Sequence, residues 1–341
     1  MKRILINDYG IFLGRKGDRI TVKKERNKIG EFPAGNISQI IIATRGVTLS
    51  TDFLRLVLKH KIDLVILSGS GAPIGRLLPI RRKRGIKLRK AQYEAQNDWR
   101  GVHLAKQFAK AKVLNQRYLL RSLAKSRAET NPDLYKHLMR IYEEMADFVS
   151  GIEAVSGSKT SDVRQTIMNL EGRAADRYWN AIREILPEDL GFPGRKKRFD
   201  RPRDPVNVML NFGYGLLYSE VWLALEYTSL DPYAGFLHKD SPRRPALVMD
   251  LIEEFRQPVV DRVVIKLALT KGSELNNLVE DRFLTIEGRK LLAKEISERL
   301  RKRVTFRDRA LPIEYHVILQ SRRLAEFIIG RSNSYIPFVL K

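Results

Sequence analysis

The chain has 341 residues, 43% of them hydrophobic and 9% aromatic, enough for a sizeable core and, by length, for about two domains. Lys and Arg number 63 against 39 Asp and Glu, a formal charge of +24, which points to a polyanionic partner: nucleic acid ahead of an anionic membrane or a ribosomal surface. The absence of cysteine excludes disulfides, thiolate metal sites and cysteine nucleophiles, and five histidines disfavour a histidine-rich zinc site.

The opening MKRILINDYG has no apolar stretch ending in a cleavage signal, and no uninterrupted apolar run approaches the ~18 residues of a membrane span, so a cytoplasmic protein is expected. The first 80 or so residues read as strands joined by glycine turns. RILIN, GIFLG and RITVKK suggest a hairpin series, and ISQIIIAT is a further strand. Ser50 suits the N-cap of a short helix, TDFLRLVLKHK, before IDLVILSG returns to strand. The loop from Ser68 to Gly71 lacks the spacing of a nucleotide-binding loop and reads as an ordinary turn. RRKRGIKLRK (81–90) then places seven basic residues and no acid at a break in composition. A linker in which Arg81, Arg82, Lys83 and Arg84 touch backbone phosphates is expected there.

From Ala91 the pattern becomes helical: one long segment to about Arg127, then LYKHLMRIYEEMADFVSGIEA, SDVRQTIMNLEGRAADRYWNAIREIL and five more. The expected fold is therefore α+β, a small mainly β N-terminal domain (1–85) followed by a larger all-α domain (86–341). GRKKRFDRPR (194–203), flanked by Gly and Pro, reads as a mobile basic loop, with Arg195, Lys196, Lys197 and Arg198 as candidate phosphate contacts.

Three acids stand out. Glu171 lies on the apolar stripe of the third helix, among Ile167, Leu170, Ala174 and Tyr178, where an unpaired carboxylate costs several kcal/mol unless it finds a cation. An internal ion pair and a metal ligand both answer that cost. Asp250 and Glu253, three apart after Pro245, share a helix side; acids at a helix start are also common for stability alone. Glu254 is the weaker candidate, free to meet solvent or Arg256. His238 ends a defined loop, DPYAGFLH, whereas His60, His103, His137 and His316 read as structural or exposed. Asn207 with Asn211, and Tyr214 with Tyr218, would share faces of one helix, although Gly213 and Gly215 weaken that helix. One imidazole with up to three carboxylates suits Mg²⁺ or Mn²⁺ and, on so basic a chain, strand cutting or joining of nucleic acid.

LEGRAADRYW (170–179), NVMLNFGYGLLYSE (207–220), LDPYAGFLH (230–238) and PALVMDLIEEFRQPVVDR (245–262), with DYG (8–10), resemble the signature segments of the CRISPR-associated integrase and endonuclease family of spacer acquisition. The resemblance spans essentially the whole chain. It implies an N-terminal β-sandwich that forms a homodimer, a helical catalytic domain, and assembly with a small ferredoxin-like partner into a heterohexamer on double-stranded and branched DNA. By motif position it assigns metal ligation to Glu171, His238 and Glu253, and a catalytic supporting role to Asp250. Some relatives carry aspartate at the position of Glu253. The implied reaction is attack by a DNA 3′-hydroxyl on a repeat phosphodiester, with hydrolysis when water replaces the hydroxyl. Two rivals are a metal-dependent junction or repair nuclease using water only, and a non-enzymatic basic DNA scaffold whose acids are salt-bridged.

Overall fold

The structure, a computed structural model, describes residues 2–69, 71–77, 85–242 and 244–341. Residues 81–84, the proposed basic linker, lie outside the described residues.

Eight strands build the N-terminal region: β1 (Lys2–Ile6), β2 (Ile11–Lys16), β3 (Arg19–Lys24), β4 (Asn27–Pro33), β5 (Ile37–Ile42), β6 (Thr48–Leu49), β7 (Asp63–Leu67) and β8 (Pro73–Leu77), with α1 (Thr51–Lys59) before β7. They form two four-stranded sheets, ordered β1-β5-β7-β8 and β4-β3-β2-β6. The expected hairpin series holds for β2 and β3 but not for β1, and β4, which the sequence reading did not include, extends it. Gly10, at φ +76°, turns the chain out of the first sheet, and β1 pairs in parallel with β5, Ile6 opposite Ile42. Between the sheets, Ile6, Leu13, Ile20, Val22, Ile40 and Leu64 close one core with Phe53, Leu56 and Val57 of α1. Ser50 caps α1 as expected, accepting the Phe53 N–H at 3.1 Å. The run ISQIII is continuous because β5 is covered on both faces: Ile40 and Ile42 face the sandwich, and Ile41 joins the helical core.

Ten helices include nine in the remainder: α2 (Ile86–Ala95), α3 (Trp99–Lys125), α4 (Pro132–Ala154), α5 (Thr160–Ile185), α6 (Pro205–Thr228), α7 (Ala246–Ile252), α8 (Arg262–Lys271), α9 (Ile286–Arg301) and α10 (Ile313–Ile328), counted among the described residues. The long helix expected from Ala91 is broken in two. Asp98 accepts the Arg100 N–H at 2.8 Å and starts α3 afresh. The region is also not purely helical, since β9 (Val279–Glu280) pairs with β10 (Phe283–Leu284), and β11 (Arg303–Phe306) with β12 (Arg309–Pro312).

α6 is the axis of this region. Among the described residues it is the one helix long and apolar enough to cross a membrane, and most of it is buried within the fold. Gly213 and Gly215 do not interrupt it. A Cβ at Gly215 would lie 1.7 Å from the Gly71 carbonyl, so glycine lets the β7–β8 loop dock directly on the helix. Polar clamps join the same surfaces: Arg76 pairs with buried Asp63 at 2.7 Å and donates to the Ser219 carbonyl of α6 at 2.6 Å, and Arg3 reaches Glu220 and Glu314.

Candidate active site

α7 stops at Ile252, and the chain passes through Glu253, Glu254 and Phe255 into a π-helical turn, Arg256–Asp261, before α8. Such turns redirect side chains that a regular helix would align. Asp250, the last acid inside α7, is fully buried and points back at the loop before the helix. Its carboxylate accepts the backbone N–H groups of Phe236, Leu237 and His238 at 2.6, 3.1 and 2.8 Å, and its Oδ1 lies 2.8 Å from His238 Nδ1. One carboxylate thus fixes both the loop backbone and the part-buried imidazole. With the Nδ1 hydrogen on Asp250, the ring presents the Nε2 lone pair outward. α2 braces the other end of the loop, where Gln92 donates to the carbonyls of Asp231 and Ala234 at 2.9 and 2.8 Å. The other histidines are engaged elsewhere: His60 with Asp18, His103 with the Tyr335 carbonyl, His137 with Glu184 and His316 with the Val304 carbonyl.

Glu253 is almost fully buried. Its Oε1 lies 3.0 Å from Arg256 Nε, and its Oε2 lies 3.5 Å from Lys112 Nζ without a hydrogen-bond partner. Burial opposes ionisation of this carboxyl, but Arg256, Lys112 and His238 overcome it and hold the group below its ordinary value. Glu171, on α5, is ion-paired with the same Lys112 ammonium. Lys112 comes from α3, and burial pulls its pKa down against the attraction of Glu253. Glu171, Glu253 and Lys112 therefore meet where α3, α5 and the end of α7 converge.

Both readings left open for Glu171 bear on this geometry. As it stands the acid is ion-paired, and among the described residues no three His, Asp or Glu side chains stand close enough together to hold a metal unaided. The donor chemistry nevertheless fits a hard divalent cation: two carboxylates drawn to one ammonium, of which Glu253 Oε2 is buried without a hydrogen-bond partner, and an imidazole nitrogen oriented by Asp250.

Several expectations change. Glu254 is neither exposed nor paired with Arg256. Fully buried, it accepts Tyr335 Oη, the Phe338 N–H and Gln320 Nε2 at 2.5, 2.7 and 2.8 Å, and so anchors the C-terminal segment. Burial is the chief reason its pKa rises to about 7. Arg195 turns inward instead of lying on a mobile basic loop. It donates to Asn207 and Asn211 at 3.0 and 2.7 Å, and its guanidinium lies 5.3 Å from the Tyr214 ring centre. Asn207 hence holds the 194–196 backbone, through the Gly194 carbonyl and the Lys196 N–H, and Asn211 holds the Arg195 guanidinium. Lys196 and Lys197 remain exposed. Lys112 was missed because a lysine in a lysine-rich helix carries no sequence signal. Tyr214 was noted but not its partner: its hydroxyl donates to buried Asp261 at 2.5 Å, while its ring lies 4.4 Å under Arg256.

Comparison with known proteins bears on this arrangement. Residues 4–298 match the family model described as CRISPR associated protein Cas1. A CRISPR-associated endonuclease Cas1 of Archaeoglobus fulgidus is 36% identical over 99% of this chain and 99% of its own length; one of Korarchaeum cryptofilum is 29% identical over 98% and 97%. Among solved structures, a casposase bound to integration product superposes with a TM-score of 0.83 at 26% identity, covering 98% of this chain and 92% of that one. A Cas1 protein from Thermotoga maritima gives 0.78 at 23% identity over 98% and 99%, a likeness of fold.

Proposed function

Because the chain belongs to the Cas1 family, we propose that it is a metal-dependent DNA integrase with associated endonuclease activity, inserting spacer DNA into a CRISPR array by attack of a DNA 3′-hydroxyl on a repeat phosphodiester. The observation that carries this reading is the meeting of Glu171 and Glu253 on one ammonium, with the His238 imidazole fixed by Asp250 three residues before Glu253, inside a molecule of charge +24. A casposase, an integrase-like neighbour in fold, was captured with its integration product.

Glu171, His238 and Glu253 would hold Mg²⁺ or Mn²⁺. When bound, such an ion neutralises charge on a scissile phosphate and acidifies the attacking hydroxyl. The chain's own residues do the rest. Asp250 accepts from Nδ1 and leaves Nε2 as the nitrogen free to ligate, so the imidazole would serve as a ligand and not as the general base. Arg256, held by Glu253 and the Tyr214 ring, keeps Glu253 ionised despite its burial. Exposed Lys196 and Lys197 offer phosphate contacts without a base code. By resemblance to the family, the working unit is a homodimer paired through N-terminal domains, joined by a small ferredoxin-like partner.

A nuclease that uses only water is the second reading, favoured by the name endonuclease borne by the relatives. The deciding experiment incubates the protein, with and without the small partner, with a supercoiled plasmid bearing a repeat and a labelled duplex. Label joined to plasmid with free 3′ ends, and lost with blocked ones, establishes strand transfer. Cutting without joining under every condition would leave the water-only nuclease.

A further inference from the structure

Resting on the metal-site reading above, we propose that Lys112 is a tethered counter-cation of the centre: it holds Glu171 and Glu253 together before the metal arrives, and it must leave Glu253 for the metal to bind. The ammonium sits on the ligands themselves, bonded to Glu171 and 3.5 Å from Glu253 Oε2. The other oxygen of Glu253 faces Arg256 at 3.0 Å. Each oxygen of this carboxylate thus faces a cation, and a divalent ion needs one of them to yield.

The two cations are not equally free to move. Arg256 is wedged by its stacking on Tyr214, whose hydroxyl is bound to buried Asp261. A lysine is a point charge on four methylenes, with no fork to match the carboxylate. The backbone beneath it stays fixed, because Asn115 donates to the carbonyls of Glu254 and Phe338 at 3.0 Å each. Movement is therefore confined to the Lys112 side chain. Gln116, one turn further along α3, is fully buried, and neither its Oε1 nor its Nε2 has a hydrogen-bond partner. On a helix, residues four apart share a face. Gln116 Oε1 is thus an acceptor on the lysine's own side, and an incoming phosphate would be a stronger one. Like-charge repulsion in a site shielded from water drives the exchange.

Metal affinity without DNA is then set by competition with an internal cation. The test is Mn²⁺ binding to the full-length protein without DNA, followed by calorimetry and by the loss of free-ion paramagnetic resonance signal, with melting temperatures in chelator and in saturating Mn²⁺. Lys112→Met is expected to bind Mn²⁺ at least tenfold more tightly than wild type. It should melt lower than wild type in chelator and recover most of that loss with Mn²⁺. Lys112→Gln, which keeps a polar group, serves as the second variant should the methionine fail to fold. Unchanged or weaker Mn²⁺ binding by a folded variant overturns the proposal, because a lysine that merely templates the carboxylates gives that result. Glu171→Gln separates the two levels. If wild type binds Mn²⁺ no better than Glu171→Gln, the metal site itself is refuted, and the role of Lys112 with it. If Glu171→Gln alone loses binding while both Lys112 variants match wild type, only the counter-cation is refuted.

Discussion

The two halves of the centre are held in different ways. The His238 half is over-determined: Asp250 takes three backbone N–H groups and the imidazole, while α2 grips the loop from behind. The Glu171 half is held by charge, with one lysine between an acid of α5 and one just past the end of α7. A hydrogen-bonded carboxylate fixes direction, whereas an ammonium fixes only proximity. The first half can be preorganised before any ligand arrives; the second adjusts when the cation changes.

Removing ligands from either half should have the largest effect. Glu171→Gln, Glu253→Gln and His238→Ala are each expected to abolish metal-dependent strand transfer and cleavage of a branched substrate, since each removes charge or a lone pair from the proposed metal centre. Circular dichroism verifies folding, and gel shifts in chelator should show retained duplex binding. A folded Glu171→Gln protein with full activity would refute the centre.

Glu254 tests whether the comparison concerns the site or merely its neighbourhood. It adjoins Glu253, yet its three donors tie down the C-terminal segment and none of them belongs to either half. Glu254→Ala leaves these buried groups unpaired, at about 1–3 kcal/mol each, so a large fall in melting temperature is expected, against the sequence-based view of this residue as a bystander. Its pKa adds a pH signature. The folded value is raised to about 7 from 4.5, so the fold binds this proton more tightly than the unfolded chain does. The contribution is full below pH 4.5 and is lost as pH rises to about 7, about 3 kcal/mol in all. Glu254→Gln, a mimic of the protonated acid, should therefore gain stability relative to wild type across that window and hold the gain above it. Parallel stability curves for the two proteins from pH 4 to 8 would exclude the assignment.

What the sequence made legible follows from where physics acts locally. Ser50 as a cap, the β2–β3 hairpin and the apolar stripe of α5 depend on residues a few positions apart, and all stand in the structure. The parallel pairing of β1 with β5 depends on a partner more than thirty residues away by sequence number, which no local turn announces. Glu171 was conspicuous because an acid on an apolar stripe demands a partner. That partner, Lys112, was invisible because a lysine on a basic helix demands nothing. The inward turn of Arg195 was hidden for the same reason: composition reports charge, not the direction in which a side chain points.

Asp250→Asn sharpens the contrast between the halves with a smaller, reparable effect. Asparagine offers a single acceptor oxygen and brings an amide donor toward backbone N–H groups, so the loop and imidazole lose their fixed orientation while every ligand remains. Loss of an orienting partner of this kind costs about 10–100-fold in metal affinity or activity. Raising Mn²⁺ should restore much of the activity of Asp250→Asn but none of that of Glu171→Gln. If added Mn²⁺ fails to help a folded Asp250→Asn protein, Asp250 does more than orient the imidazole.

The smallest effect belongs to the exposed basic segment, which lies outside both halves. Lys196 and Lys197 face solvent, whereas Arg195 beside them is spent on Asn207 and Asn211. A phosphate contact releases bound counterions from DNA, so each one lost should flatten the slope of log affinity against log salt by about 0.9 for duplex DNA. Replacing Lys196 and Lys197 by alanine should weaken binding to unrelated duplexes equally, lower the slope by up to about twice that amount, and leave Mn²⁺ binding unchanged. Arg195→Ala should act differently: a lower melting temperature through the loosened 194–196 backbone, with little change in slope. Fluorescence anisotropy over a salt series reads both. A slope lowered by Arg195→Ala and untouched by the lysine pair would reverse the assignment and place the inward arginine, not the exposed lysines, on the DNA.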